Sequence, residues 1–198
     1  MKNQRYKPQG KHWTQDSVRL RPDGVLIRQG ASPKPTSGGD NMALCPGSFD
    51  PPTDGHINII ERGLRVFDHI VVAVAINRSK KTLFSPEERV EMLKELLKKH
   101  KNVTIDSFEG LLVNYCQKKK IGTILRGIRT VSDYEYELQM SLANRILNPK
   151  LETIFMMTEG RYSHISSSII KEVISFGGSG KSMIHPHVEK KIREKIKI

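Results

Sequence analysis

A serine and a histidine, each preceded by glycine, share one short stretch, PGSFDPPTDGH, residues 46–56. Gly47 permits a sharp turn and a close approach of backbone to a ligand. Ser48 offers a hydroxyl, and Ser48 and Phe49 offer backbone N–H groups. Gly55 lets a ligand approach the start of a helical pattern, INIIERGLRVF, and His56 falls in its first turn. Free N–H groups and the positive end of a helix dipole suit a phosphate there. The stretch matches neither G-x-G-x-x-G nor the Walker P-loop, so neither a dinucleotide-redox nor a P-loop site is indicated. A histidine at this place can also serve as a cap or packing group, but the flanking glycines and serine favour functional use.

Three further stretches carry donors of the same kind. NRSKK, residues 77–81, ends in Lys80 and Lys81, either of which can face an anion or simply solvent. RGIRTVSDYEYE, residues 126–137, sets Arg126 and Arg129 on either side of Gly127 and Ile128. Arg126 is fourth in the apolar run TILRGI, a costly place for a permanent cation without an anion. Glu137, a turn into the next helical pattern, could pair with an arginine instead. SHISSSII brings Ser166, Ser167 and Ser168 to the start of a helix. They are N-caps first, and also hydroxyl and N–H donors for phosphate. No Cys/His metal cluster or Ser-His-Asp order is evident, and no acidic pair stands out as a base. The set suits transfer at phosphorus, run by positioning and charge stabilisation.

The intervening chain must bring these stretches together. From residue 41, strand and helix patterns alternate. Ala43–Cys45 reads as a short strand, and Gly55 to about Phe67 as a helix. HIVVAVAI, residues 69–76, is a strand covered on both faces. Ser85-Pro86-Glu87-Glu88 is a capping box that opens a helix to about His100. VTIDSF, TILRGI and ETIFMM read as strands; LLVNYCQKK reads as a helix. Ser132-Asp133-Tyr134-Glu135 reads as a second capping box, opening a helix that ends near Leu147. SSSIIKEVISFG is a helix closed by Gly177-Gly178, and HPHVEKKIREKI is a last amphipathic helix. Alternation of this kind predicts an α/β, Rossmann-like, doubly wound parallel sheet of five strands with helices on both faces, plus a C-terminal helix. Ligands in such sheets sit beyond the carboxyl ends of the strands. The loops Gly47–His56, Asn77–Thr82, Arg126–Asp133 and Thr158–Ser168 should therefore converge.

Residues 1–40 differ from the remaining domain, 41–198. They are basic and linker-like, with a possible hairpin around Pro22-Asp23-Gly24, and are expected to form a poorly structured extension. Of the net charge of +12, the first 40 residues hold +5 and residues 181–198 hold +4. An excess concentrated in the ends reads as solvated tails, so nucleic acid is not expected as a partner. No apolar run of 18 residues exists, so no membrane span is expected, and the N-terminal stretch lacks the apolar segment of a signal peptide. Two cysteines, Cys45 and Cys116, suit reduced thiols in a cytoplasmic protein.

PGSFDPPTDGH resembles the G-[ST]-F-D-x-x-x-x-G-H signature of the nucleotidyltransferase superfamily, whose T/H-x-G-H element binds nucleotide phosphates. Together with SKK, RGIRTVSDYEYE and YSHISSSIIKEV, it resembles the phosphopantetheine adenylyltransferase family over about residues 42 to 195. The resemblance implies transfer of AMP from ATP to 4′-phosphopantetheine, with Mg2+, giving dephospho-coenzyme A and pyrophosphate in coenzyme A synthesis. It implies that His56 stabilises the α-phosphate in the transition state and that Arg129 binds the ATP phosphates. Ser48, in the ATP and acceptor sites alike, would contact the transferred phosphate and the attacking group, Lys80 and Arg126 would orient that phosphate, and Leu112 would contact the pantetheine arm through its backbone. Phe49, Gly127, Ile128, Glu137, Tyr162, Ser163, His164, Ile165, Ser166, Ser167 and Ser168 would line the ATP site. The metal would be bound mainly through ATP, and the assembly would be a homohexamer.

The sequence departs from the family pattern in places. Serine replaces the common threonine at Ser48, tyrosine a tryptophan at Tyr162, and histidine a phenylalanine at His164. The residues before Lys80 and Lys81 also differ, which leaves the choice between the two lysines open. A sister enzyme acting on nicotinate mononucleotide or a sugar-alcohol phosphate would usually show an S-T-x-x-R-like sequence where SSSII stands. A non-catalytic, nucleic-acid-binding relative would have no need of His56, Lys80, Arg126 and Arg129 together.

Overall fold

A computed structural model describes residues 18–20, 26–28 and 41–197. The chain forms two compact units, Met1–Gly39 and Asp40–Ile198. In the first, strands β1 (Val18–Leu20) and β2 (Leu26–Arg28) pair antiparallel, where the sequence suggests a hairpin. Its turn, and the expectation of a poorly structured extension over the rest of 1–40, lie outside the described residues.

The second unit runs β3 (Met42–Gly47), α1 (Asp54–Gly63), β4 (His69–Ile76), α2 (Pro86–Leu97), β5 (Val103–Glu109), α3 (Leu112–Lys119), β6 (Thr123–Ile128), α4 (Val131–Leu147), β7 (Glu152–Met157), α5 (Ser167–Ser175) and α6 (Pro186–Ile196). The five strands lie in the order β5-β4-β3-β6-β7, and every neighbouring pair is parallel. This is the expected α/β doubly wound sheet. The alternation of β4 shows why both faces must be covered. Ile70, Val72 and Val74 pack with Ile59 and Ile60 of α1 and Leu93 and Leu97 of α2. Val71 and Ala73 face the other way, towards Val113 and Cys116 of α3. Each buried Val, Ile or Leu side chain contributes about 1.5–3 kcal/mol of burial free energy. A third cluster joins Met92 of α2 to Ile170 and Ile174 of α5 and to Val188 and Ile192 of α6.

Helix α2 ends at Leu97 rather than near His100, and three further boundaries differ from the sequence reading in ways that shape the fold. The first body strand extends beyond Ala43–Cys45 through Pro46 to Gly47. It pairs with β4 along its whole length but with β6 only at Ala43 and Leu44. The Pro46 carbonyl faces β6, where the Arg126 guanidinium takes it. The missing Pro46 N–H falls on the same side, so the ladder stops and the two strands part. Helix α1 ends at Gly63, short of Phe67. Residues 65 and 66 tighten into i→i−3 bonds to Arg62 and Gly63, and the turn delivers Phe67 into the core. Helix α4 opens at Thr130, whose hydroxyl accepts from the Asp133 N–H at 3.1 Å. Ser132 therefore lies inside the first turn rather than capping it.

Candidate active site

The gap between β3 and β6 is the point where the chain's winding reverses, and two cavities meet there. The smaller, about 310 Å3, lies over the start of α1 and is walled by the loops after β3, β6 and β7. The larger, about 700 Å3, lies under the loops after β4 and β5 and against α4. Pro46, Gly47, Ser48, Arg126 and Glu137 belong to both. All four expected loops converge, but on two chambers joined by a common wall rather than on one.

His56 caps and faces the site at once. Thr53 is the N-cap of α1 and His56 its third residue. The Thr53 N–H donates to His56 Nδ1 at 3.0 Å, and the His56 N–H donates to Thr53 Oγ1 at 3.3 Å. A ring nitrogen that accepts a backbone N–H carries no proton, so the ring proton sits on Nε2. Burial first, then the charges of Arg129 and Arg126, lower the pKa from 6.5 to about 4. At neutral pH His56 is therefore an uncharged imidazole that can donate one hydrogen bond into the smaller cavity it lines. Behind it stands Phe49, ring centroids 5.0 Å apart and edge to face. Phe49 is 1% exposed and holds a φ of +47°, a conformation that costs a side-chain-bearing residue roughly 1 kcal/mol. Its ring needs Gly47: a Cβ there would come within 2.9 Å of it.

The arginines are held by carboxylates. Arg126 Nε donates to Glu137 Oε2 at 2.7 Å, and its Nη2 donates to Oε1. Burial works against its charge, but the Glu137 carboxylate outweighs it and keeps the guanidinium charged. The ion-pair use of Glu137 thus holds, and it places the pair in the wall between the chambers. Arg129 is gripped by Asp133, Nε to Oδ2 at 2.9 Å and Nη2 to Oδ1 at 3.1 Å, and donates to the Ile165 carbonyl at 2.6 Å. That bond ties the β6 loop to the β7 loop across the smaller cavity.

The serines divide their tasks. Ser166 is the N-cap of α5, accepting from the Ile169 N–H at 3.1 Å. Ser167 Oγ donates to the Pro51 carbonyl at 2.8 Å. Only the Ser167 hydroxyl proton is committed, so what the helix start offers a phosphate is the backbone N–H groups of its first turn and the hydroxyls of Ser166 and Ser168, all lining the cavity.

Of the expected nucleotide-site residues, Ser48, Phe49, His56, Gly127, Arg129, Glu137, Ile165 and Ser166 to Ser168 line the smaller cavity. Ile128 does not: its side chain is 1% exposed and its carbonyl accepts from Thr158 N–H. Tyr162, Ser163 and His164 do not line it either. Tyr162 packs against the third core cluster, Ser163 Oγ donates to the Gly160 carbonyl, and His164 is exposed. A turn of 3-10 helix, Gly160–Tyr162, carries this segment past the rim. Ser48, Lys80, Leu112 and Arg126 all line the larger cavity, and Lys81 does not.

The sequence reading missed several neighbours. Thr53 is legible in hindsight as a capping threonine with histidine at the place usual for Glu or Gln. Asp133 is the anchor of Arg129. Asp50 is buried and accepts from Leu83 N–H, Phe84 N–H and Lys171 Nζ, which pins the β3 loop to the segment before α2 and to α5. Arg89, 2% exposed, donates to the Ser48 carbonyl. The signal for Arg89 was a cation on the core-facing side of a helix, with Met92 and Leu93 a turn later.

Residues 44–173 match the model of the cytidylyltransferase-like family. The phosphopantetheine adenylyltransferase of Carboxydothermus hydrogenoformans is 53% identical over 154 residues, 78% of this chain and 95% of that one. That of Desulfosudis oleivorans is 53% identical over 155 residues, 78% of this chain and 92% of that one. The solved structure "The Crystal Structure of a Putative Nicotinate-nucleotide Adenylyltransferase from Vibrio parahaemolyticus" matches with a TM-score of 0.60 at 17% identity, over 80% of this chain and 95% of that one. At that identity the likeness is one of fold.

Proposed function

The chain belongs to the phosphopantetheine adenylyltransferase family, and we propose from that premise that its two chambers hold the two substrates of one adenylyl transfer. ATP occupies the smaller chamber and 4′-phosphopantetheine the larger. The observation that carries this reading is the shared wall, Pro46 to Ser48 with Arg126 and Glu137. It brings the reacting phosphates together at Ser48, as an in-line transfer needs.

An oxygen of the acceptor's phosphate attacks the α-phosphorus of ATP. The bond from that phosphorus to the bridging oxygen breaks, and pyrophosphate leaves with the electron pair. His56 Nε2–H donates to a non-bridging α-phosphate oxygen as charge develops there. Arg129 and the start of α5 hold the departing phosphates. Lys80 and Arg126 orient the acceptor's phosphate, with Ser48 beside the bond that forms. Apolar Phe108, Leu111 and Met140 line the larger chamber and suit the arm of the acceptor. Asp133 and Glu137 are each committed to an arginine. A Mg2+ ion would therefore be held through ATP, where it neutralises the phosphate charge.

The protein is further proposed to act in the cytoplasm as a homo-oligomer, six copies by family resemblance. Both thiols are unpaired and buried, with pKa values raised to about 11 by burial. No described helix is long and apolar enough to cross a membrane. Helix α4 exposes Val131, Leu142 and Ile146 along one side, a face that a second copy would cover. The deciding assay is pyrophosphate release from ATP with 4′-phosphopantetheine, nicotinate mononucleotide or glycerol phosphate as acceptor. Release with the first alone is expected; release with nicotinate mononucleotide alone would overturn the reading.

A further inference from the structure

Arg89 stands apart from the other arginines at the site. Its Nε donates to the Ser85 carbonyl at 3.2 Å and its Nη1 to the Ser48 carbonyl at 2.8 Å. Arg126 and Arg129 each have a carboxylate partner, whereas the two carbonyls are the only hydrogen-bond partners of Arg89 among the described residues. Burial works against its charge, and the carboxylates of Asp50 and Glu87 offset that only through space, neither of them hydrogen-bonded to it among the described residues. Its Nη2 makes no hydrogen bond among the described residues, yet no polar side-chain atom there is both sealed from solvent and unpaired. Nη2 is therefore open, and the space that Arg89 lines is the larger cavity, beside Ser48, Lys80 and Arg126.

We propose that Arg89 is a binding and positioning residue for the acceptor. Its Nη1 edge clamps the Ser48 carbonyl, and its free Nη2 donates to the acceptor's phosphate, which supplies a hydrogen-bonded counter-charge. The clamp bears on the reaction because it fixes the Ser48–Phe49 segment, where Phe49 is held at a φ of +47° behind His56. One guanidinium thus couples acceptor binding to the geometry of the wall between the two chambers. The inference rests on the reading of the larger cavity as the site of a phosphorylated acceptor.

Two variants of the full chain separate the charge from the clamp. Arg89→Gln keeps an amide donor for the Ser48 carbonyl and removes the charge. Arg89→Lys keeps the charge and gives up the fork. Initial rates with 4′-phosphopantetheine and ATP varied in turn, and melting temperatures, are measured for both and for the wild type. Arg89→Gln is expected to raise the KM for 4′-phosphopantetheine about tenfold, the weight of one charge-assisted hydrogen bond, with the KM for ATP within about twofold. Arg89→Lys is expected to return the acceptor KM to within about threefold of wild type. The proposal is overturned if Arg89→Gln leaves the acceptor KM unchanged, if both KM values rise together, or if Arg89→Lys is no better than Arg89→Gln. Should Arg89→Gln fail to fold, Arg89→Met, which keeps the apolar stem and removes the charge, takes its place, with the same selective rise in the acceptor KM expected and the same results overturning the proposal. A wild type that releases no pyrophosphate with 4′-phosphopantetheine would instead sink the function on which the inference rests.

Discussion

Thr53 and His56 cap one another: the Thr53 N–H donates to His56 Nδ1 at 3.0 Å, and the His56 N–H donates to Thr53 Oγ1 at 3.3 Å. The bond to Nδ1 leaves the proton on Nε2, so the same contact that starts α1 also sets the tautomer used on the phosphate. His56→Ala removes both services, in unequal measure. Loss of one donor to a developing charge costs ~3 kcal/mol, a fall in kcat of about a hundredfold. Loss of the cap partner costs about 1 kcal/mol of stability. Steady-state kinetics and calorimetric ATP binding should show a large fall in kcat with little change in ATP affinity. Turnover within a few-fold of wild type would remove His56 from the reaction.

The lowered pKa of His56 gives a pH test of the same residue. Folded, it titrates at about 4; unfolded, at the ordinary value of 6.5. Between those values the unfolded chain binds the extra proton, so stability is full above pH 6.5 and falls as pH drops towards 4. Urea midpoints should slope downwards through that window for wild type and less so for His56→Ala. The rate should carry no His56 limb near neutrality. An acid limb near pH 6, if seen, belongs to a substrate phosphate, whose second pKa is about 6, and should persist in His56→Ala.

The start of α4 tests the corrected cap. Thr130 Oγ1 takes the Asp133 N–H at 3.1 Å, whereas among the described residues Ser132 Oγ meets only Thr130 Oγ1, at 3.0 Å on the surface. Thr130→Ala should lower thermal stability by about 1 kcal/mol. Ser132→Ala should stay within about 0.5 kcal/mol of wild type. The reverse order would restore Ser132 as the cap.

Asp50 carries the attachment of three segments. Burial pushes its pKa up, but Lys171 and the N–H groups of Leu83 and Phe84 outweigh that and hold it below 3.8. The carboxylate's stabilising effect is therefore present above pH 3.8 and is lost as pH falls below it. Asp50→Asn leaves the Lys171 ammonium without its partner and should cost about 3 kcal/mol in denaturant unfolding at pH 7. A cost under 1 kcal/mol would show that the pair adds little to the fold.

The order of elements was legible because each strand and helix carries its own period, as in HIVVAVAI and in the Ser85 capping box. The converging loops followed from strand direction alone. What stayed hidden needs three dimensions. Pro46 looks like a strand terminator and is tolerated inside β3 because its missing N–H faces the side where β3 and β6 have parted, and Arg126 takes its carbonyl there. Ser132 and Thr130 are both plausible caps in sequence; Thr130 wins because Asp133 is drawn back to Arg129. Arg89 reads as one more charge in EERVEML until its partner, the Ser48 carbonyl 41 residues away, is in view. Tyr162 to His164 lie in a stretch that carries the family resemblance, though Tyr162 and His164 depart from its usual residues, and their side chains turn to the core, to the local turn or to solvent.

Helix α4 offers the last test, of assembly. Within its 17 residues only Asn144 is buried, while Leu142 is 53% and Ile146 82% exposed. A helix packed in its own chain would hide such residues, and a lone exposed stripe of this kind invites a partner. Leu142 and Ile146 line neither cavity, so changing them leaves the substrate contacts in place. A charge placed at the centre of a self-complementary apolar interface is desolvated in every copy, which opposes association. Light scattering should give the wild type a mass several times the 22.5 kDa chain, six times if the family pattern holds. The Leu142→Glu, Ile146→Glu double variant should fall to a smaller species at micromolar concentration while keeping its folded circular dichroism. A wild type that is already monomeric, or a double variant of unchanged mass, would mean that this face is not where the copies meet.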